Sequence, residues 1–179
     1  MTYQEIIDKY YPVGTECRGI FIQHSRQVAD KAIEIARRCN LDIPLETIET
    51  AAMLHDIGIF LTNAPDIDCH GTHHYICHGI LGAELLRKER FDEEIARVAE
   101  RHTGAGLTID DIDRQQLPLP RKDYIPETIL EKLICYADKF FSKSGAMQEK
   151  PFDKVRASMS RHSADTLTRF DELHQLFNH

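Results

Sequence analysis

The stretch Ala51-Ala52-Met53-Leu54-His55-Asp56-Ile57-Gly58 decides how this chain is read. Four apolar residues run directly into His55-Asp56. Burying two ionisable groups at the end of an apolar run is costly unless something neutralises them, and a divalent cation would do so. Adjacent helical positions point about 100° apart. Both side chains therefore reach one ion only where the helix end is distorted or the ion lies beside it. Gly58 eases such a deviation and is expected to act as a helix C-cap.

Outward from this stretch the chain reads as helix. The run from about Leu45 to Ile57 places Ile48, Ala51, Ala52 and His55 along one side. Upstream, a longer helix is expected over Glu16–Cys39, with Ile20, Phe21, His24, Val28, Ala32 and Ile35 on one face. Asn40-Leu-Asp-Ile-Pro44 ends it, because proline cannot continue the backbone hydrogen bonding. Residues 3–10 suit a short first helix. Residues 59–72 read as a loop. Further helices are expected over about His73–Arg90, Asp92–His102 and Glu127–Phe141. Asp138 lies within the apolar stripe of the last of these. The stretch 103–126 is irregular, with one short helix near 108–115, and 151–177 suits one or two amphipathic helices. No alternating β-branched run suggests a sheet. The expected fold is all-α, a single-domain helical bundle over 1–179 with its core in about 16–145.

Composition narrows the class. The chain has 179 residues, enough for one domain with a real core. The net charge of -7 argues against a broad nucleic-acid-binding surface, though a bound cation can reverse the field locally. The cysteines number five, an odd count with no CxxC pair, which fits a reducing cytoplasm better than a disulfide scaffold. No signal peptide or membrane-spanning stretch is expected.

The remaining ligand candidates are spread along the chain. His24, His78, His102 and Asp138 lie on separate expected helices. A lone histidine on an apolar face is ordinarily a hydrogen-bonded core residue, and a helix C-terminus also explains His102. A salt bridge would satisfy Asp138 as well as a metal would. The segment Asp68–Gly79 concentrates His70, His73, His74 and His78, and His74 and His78 would share a helical face. Cys69 and Cys77 are further candidates for a soft metal.

The order His24 … His55-Asp56 … Asp138 resembles the HD superfamily of metal-dependent phosphohydrolases. So do the strings Ala52-Met-Leu-His55-Asp56-Ile-Gly58, His78-Gly-Ile-Leu-Gly-Ala-Glu, Arg101-His102-Thr-Gly and Tyr136-Ala-Asp138-Lys139. Together they are similar to small stand-alone HDIG-type proteins, and the resemblance covers about residues 20–145. It implies that His24, His55, Asp56 and Asp138 hold a first metal. It further implies that His78 and His102 belong to a two-metal subset in which the aspartate of the HD pair bridges both ions. One or two divalent cations (Fe, Mn, Zn, Co or Ni) would then activate water against a phosphate ester, with Asp56 as bridging and catalytic carboxylate. His73, His74, Arg101 and Lys139 are candidates for contacts to a small phosphorylated substrate. The sequence departs from the family twice. Ile59 stands where many active members carry lysine. His102-Thr103 stands where some cyclic-dinucleotide phosphodiesterases have His-His, which counts against such a substrate. A non-catalytic metal- and nucleotide-binding regulatory module is the alternative, and a purely structural ion a third reading.

Overall fold

Local capping starts most of the helices. In the computed structural model, which describes residues 1–179, α1 (Tyr3–Tyr10) and α2 (Glu16–Arg38) begin at Thr2 and Thr15, whose hydroxyls accept backbone N–H groups of the first turn. α3 (Leu45–Leu54) follows Pro44. α4 (His78–Lys88) and α5 (Glu93–Arg101) form the next pair. α6 (Ile109–Gln115) and α7 (Ile129–Asp138) are capped by Thr108 and Thr128. α8 (Phe152–His162) and α9 (Ala164–Phe177) end the chain, with Ser163 capping α9.

α2 lies at the centre, packed on α3 and α7, while α5 touches α3, α4 and α7. The buried stripe of α2 includes Phe21, His24, Val28, Ala32 and Ile35. One apolar cluster runs through the whole fold. It includes Val155, Phe170, Leu173 and Phe177 of the C-terminal helices, so region 151–177 covers the core. α9 packs against α7, and Phe170 and Phe177 lie beside the Tyr136 ring. No helix is long and apolar enough to cross a membrane.

The all-α expectation holds, with four local departures. α3 stops at Leu54 rather than Ile57, and α7 stops at Asp138 rather than Phe141. The helix expected from His73 starts only at His78, after a 3-10 turn over Tyr75–Cys77. His74 has an extended backbone, and its ring accepts the Ile76 N–H. His74 and His78 therefore do not share a helical face. Residues 59–72, expected as loop, contain two 3-10 turns and a hairpin of two-residue strands, β1 (Asn63–Ala64) and β2 (Cys69–His70). Strands this short carry no readable alternation.

Candidate metal centre

Six side chains from five helices or the residues that directly follow them converge on a buried cluster. His24 comes from the middle of α2. His55 and Asp56 follow α3, His102 follows α5, His78 begins α4 and Asp138 ends α7. All six are buried. His24, His55, Asp56 and Asp138 bring ligand atoms within 4.8 Å of one another, and so do Asp56, His78 and His102. Asp56 belongs to both groups and divides its oxygens between them. Its Oδ2 lies 3.2 Å from His24 Nε2 and 3.0 Å from His55 Nε2. Its Oδ1 lies 3.3 Å from His78 Nε2 and 3.2 Å from His102 Nε2. Asp138 Oδ1 closes the first group at 3.0 Å from His24 Nε2.

Helix ends orient the rings. His55 Nδ1 lies 2.6 Å from the Ala52 carbonyl, His78 Nδ1 lies 2.7 Å from that of Tyr75, and His102 Nδ1 lies 2.8 Å from that of Ala99. A carbonyl oxygen can only accept, so each Nδ1 carries the proton and each Nε2 turns toward the cluster. This is the outer hydrogen bond that fixes the tautomer of a metal-binding histidine. For His55 and His102 it also satisfies a carbonyl that the last helical turn leaves free. The C-terminal ends of α3, α5 and α7 meet here, and their partial negative charge favours a cation.

Glycines bring the groups close enough. A Cβ on Gly58 would meet His78 O at 2.3 Å and Gly82 N at 2.5 Å, and one on Gly79 would meet Ala99 O at 2.7 Å. These contacts hold the His55-Asp56 turn against α4, and α4 against the end of α5. Gly58 is thus required for close approach. Its φ of -87° is open to any residue, and the expected C-cap role is not what it performs.

The polar atoms fit a cation. His55 Nε2 and both Asp56 oxygens are buried without a well-directed hydrogen bond, as is His24 Nδ1. The Nε2 atoms of His78 and His102 face each other at 3.0 Å with both Nδ1 positions already protonated. Two lone pairs at that distance call for a proton or a metal between them. Burial opposes charge on His55, but Asp56 and Asp138 outweigh it and lift its pKa to about 9. His102 is driven by burial down to about 4. Burial works against both carboxylates. His55 and Lys143 nonetheless hold Asp56 well below the usual range, and Lys139 and His24 do the same for Asp138.

The weaker sequence candidates fare differently. Lys139 is buried, with its Nζ on Asp138 Oδ2. Arg101 is instead bound to Glu127 and Glu131, at 2.9 and 3.3 Å. His73 and His74 are exposed, and no hydrogen bond or ion pair links either to the cluster. Cys69 and Cys77 are not brought together: Cys69 Sγ touches Cys17 Sγ at 3.3 Å, and Cys77 Sγ bonds the Pro118 carbonyl. Ile59, the residue noted above as a departure from the resembled family, is fully buried. An ammonium reaches Asp56 from elsewhere: Lys143 Nζ lies 2.6 Å from Asp56 Oδ2. Sequence reasoning missed Lys143, because Ser142-Lys-Ser-Gly145 reads as an ordinary polar turn.

The sequence model of the family described as HD domain matches residues 21–142. This chain belongs to the HD-domain family. All six residues of the cluster fall inside the matched stretch. Among curated relatives, a tRNA (cytidine(56)-2'-O)-methyltransferase of Picrophilus torridus is 35% identical over 93% of this chain and 47% of its own length. The uncharacterized protein MJ0778 of Methanocaldococcus jannaschii is 37% identical over 68% of this chain and 66% of its own. A like-named methyltransferase of Thermoplasma volcanium is 33% identical over 78% of this chain and 36% of its own. The HD domain therefore spans only part of the curated relatives it matches. The crystal structure of the L. monocytogenes phosphodiesterase PgpH HD domain superposes with a TM-score of 0.57. It is 15% identical and covers 98% of this chain and 95% of that one, which shows a shared fold.

Proposed function

We propose that this HD domain is a metal-dependent phosphohydrolase acting on a phosphate ester, carried by a nucleotide or another small phosphorylated metabolite. One observation supports it above the rest: a single buried carboxylate, Asp56, presents one oxygen to His24 and His55 and the other to His78 and His102. With Asp138 these residues would hold one or two divalent ions such as Fe, Mn, Zn, Co or Ni. Such an ion, when bound, supplies Lewis acidity toward phosphate oxygens and a water of lowered pKa. The chain's own residues do the rest. The carbonyls of Ala52, Tyr75 and Ala99 keep three imidazoles in the ligating tautomer. Asp56 holds the two groups in register. Lys139 and Lys143 bring ammonium groups to the open side, where charge builds on a phosphoryl group. The two methyltransferase relatives extend well beyond the matched stretch. For that stretch, the His–Asp cluster supports hydrolysis.

Metal analysis of the purified chain, paired with turnover of a generic phosphate ester in added Mn, Co or Ni, tests the proposal. The expected result is bound metal and hydrolysis, both lost in Asp56→Ala. Full metal content and full activity in that variant would overturn it. Nucleotide binding without turnover would favour a regulatory module instead.

A further inference from the structure

Two cysteines that the metal centre does not use meet at the edge of the core. Cys17 Sγ and Cys69 Sγ lie 3.3 Å apart. Cys17 stands in the first turn of α2, and Cys69 in β2. The other three cysteines have no sulfur partner. Each sets its Sγ on a backbone carbonyl, Cys39 on Phe177, Cys77 on Pro118 and Cys135 on His102. A second contact holds the pair in register. The Cys17 backbone N–H donates to Asp68 Oδ2 at 3.1 Å, and Asp68, in the left-handed region at φ 56°, turns the chain into β2.

The two thiols are not equivalent. Cys69 is 1% exposed, whereas Cys17, 7% exposed, lines an open cleft of about 400 Å³ with Thr15, Phe60 and His70. A small oxidant therefore reaches Cys17 first. Cys17 is also the more readily ionised. A hydrogen bond from the Cys69 thiol lowers its pKa, outweighing burial and the Asp68 charge, and the N-terminus of α2 favours a thiolate. The same contact, with burial, pushes the Cys69 thiol up.

We propose that Cys17 and Cys69 are an oxidative modification site, which hydrogen peroxide converts to a disulfide. The Cys17 thiolate attacks one peroxide oxygen and the O–O bond breaks. This leaves Cys17 as a sulfenic acid and releases hydroxide, which takes up the proton the thiol gave off and becomes water. The Cys69 sulfur then attacks the Cys17 sulfur. The S–O bond breaks, and the departing hydroxide leaves as a second water with the Cys69 proton. Two thiols lose two electrons, and one peroxide is reduced to two waters. The sulfurs must close to about 2 Å, which side-chain rotation and a small shift of the two-residue β2 supply. The cross-link fastens the β1–β2 hairpin to α2. Ala64 and Ile67 of that hairpin wall the cleft beside Asp138, and His24 lies two turns further along α2. Oxidation thus stiffens one side of the metal centre without consuming a ligand.

Treatment of the full chain, as purified, with excess hydrogen peroxide tests this, read by alkylation of the remaining thiols, non-reducing peptide mapping and thermal unfolding. Two of the five thiols are expected to be lost together, in a peptide pair joined through Cys17 and Cys69, and dithiothreitol should restore both. Closing a loop of about 50 residues should raise the unfolding midpoint by about 5–10 °C. Cys69→Ser should stop Cys17 at the sulfenic acid, trapped by dimedone, while Cys17→Ser leaves Cys69 reduced. Cys39→Ser, a control away from the pair, should keep the cross-link. A chain that stays fully reduced overturns the proposal, as does thiol loss without a Cys17–Cys69 cross-link. The peptide map of the unsubstituted chain decides this even where a variant fails to fold.

Discussion

Lys143 Nζ lies 2.6 Å from Asp56 Oδ2, the same oxygen that His24 and His55 approach. An ammonium and a divalent ion placed there compete for one carboxylate. Lys143→Met should therefore bind Mn²⁺ or Zn²⁺ more tightly, by about three- to tenfold, since the metal no longer displaces a paired charge. Competition with a chromophoric chelator measures it. Weaker binding in the variant would show that Lys143 supports the ion rather than competing with it.

The division of Asp56 between two groups predicts a pattern of stoichiometry. His78→Ala and His102→Ala should each cost the ion held on the Oδ1 side and spare the other. His24→Ala and Asp138→Ala should act on the Oδ2 side. Metal content by elemental analysis distinguishes the sets. Identical loss in all four variants would point to a single ion.

Gly58→Ala should be severely destabilising, by about 3 kcal/mol or more, because the added methyl meets backbone at both His78 and Gly82. Metal binding should fall with it, since that contact sets the distance from His55-Asp56 to His78. Gly82→Ala, whose nearest contacts are 3.2 Å, should be milder. Urea unfolding gives the order, and equal effects would contradict it.

Asp111 ties α6 to α9. Its carboxylate accepts from the Thr108 backbone and lies 2.6 Å from Arg169 and 2.6 Å from Arg114. Burial opposes its charge, but Thr108 and Arg169 outweigh burial and lower its pKa below the ordinary 3.8. The folded value is the lower one. The stabilisation is therefore complete above the unfolded pKa and is lost as pH falls through the folded pKa. Asp111→Asn should cost about 1–3 kcal/mol at pH 7. That deficit should shrink on acidification below about pH 4. A deficit that stays constant from pH 7 to pH 3 would assign the loss to shape rather than charge.

Much of the fold was legible because helical periodicity is local. The α2 stripe of Phe21, His24, Val28, Ala32 and Ile35 acts within a few residues of itself. The exact ends of α3 and α7 were not legible. There the chain turns His55, Asp56 and Asp138 toward partners far away in sequence. His74 misled for a similar reason: its spacing from His78 suited a helix, but its ring serves as a local cap for the Ile76 N–H.

The order of ligand-type residues was written in the sequence, together with the apolar faces that carry them and the family they imply. Only the tertiary structure decided that Asp56 stands between two histidine pairs, that Gly58 works by close approach to Gly82, and that Lys143 brings an ammonium to Asp56. Those facts depend on how helix ends meet across the core. Contacts between residues dozens of positions apart are fixed by packing, and no local pattern encodes them.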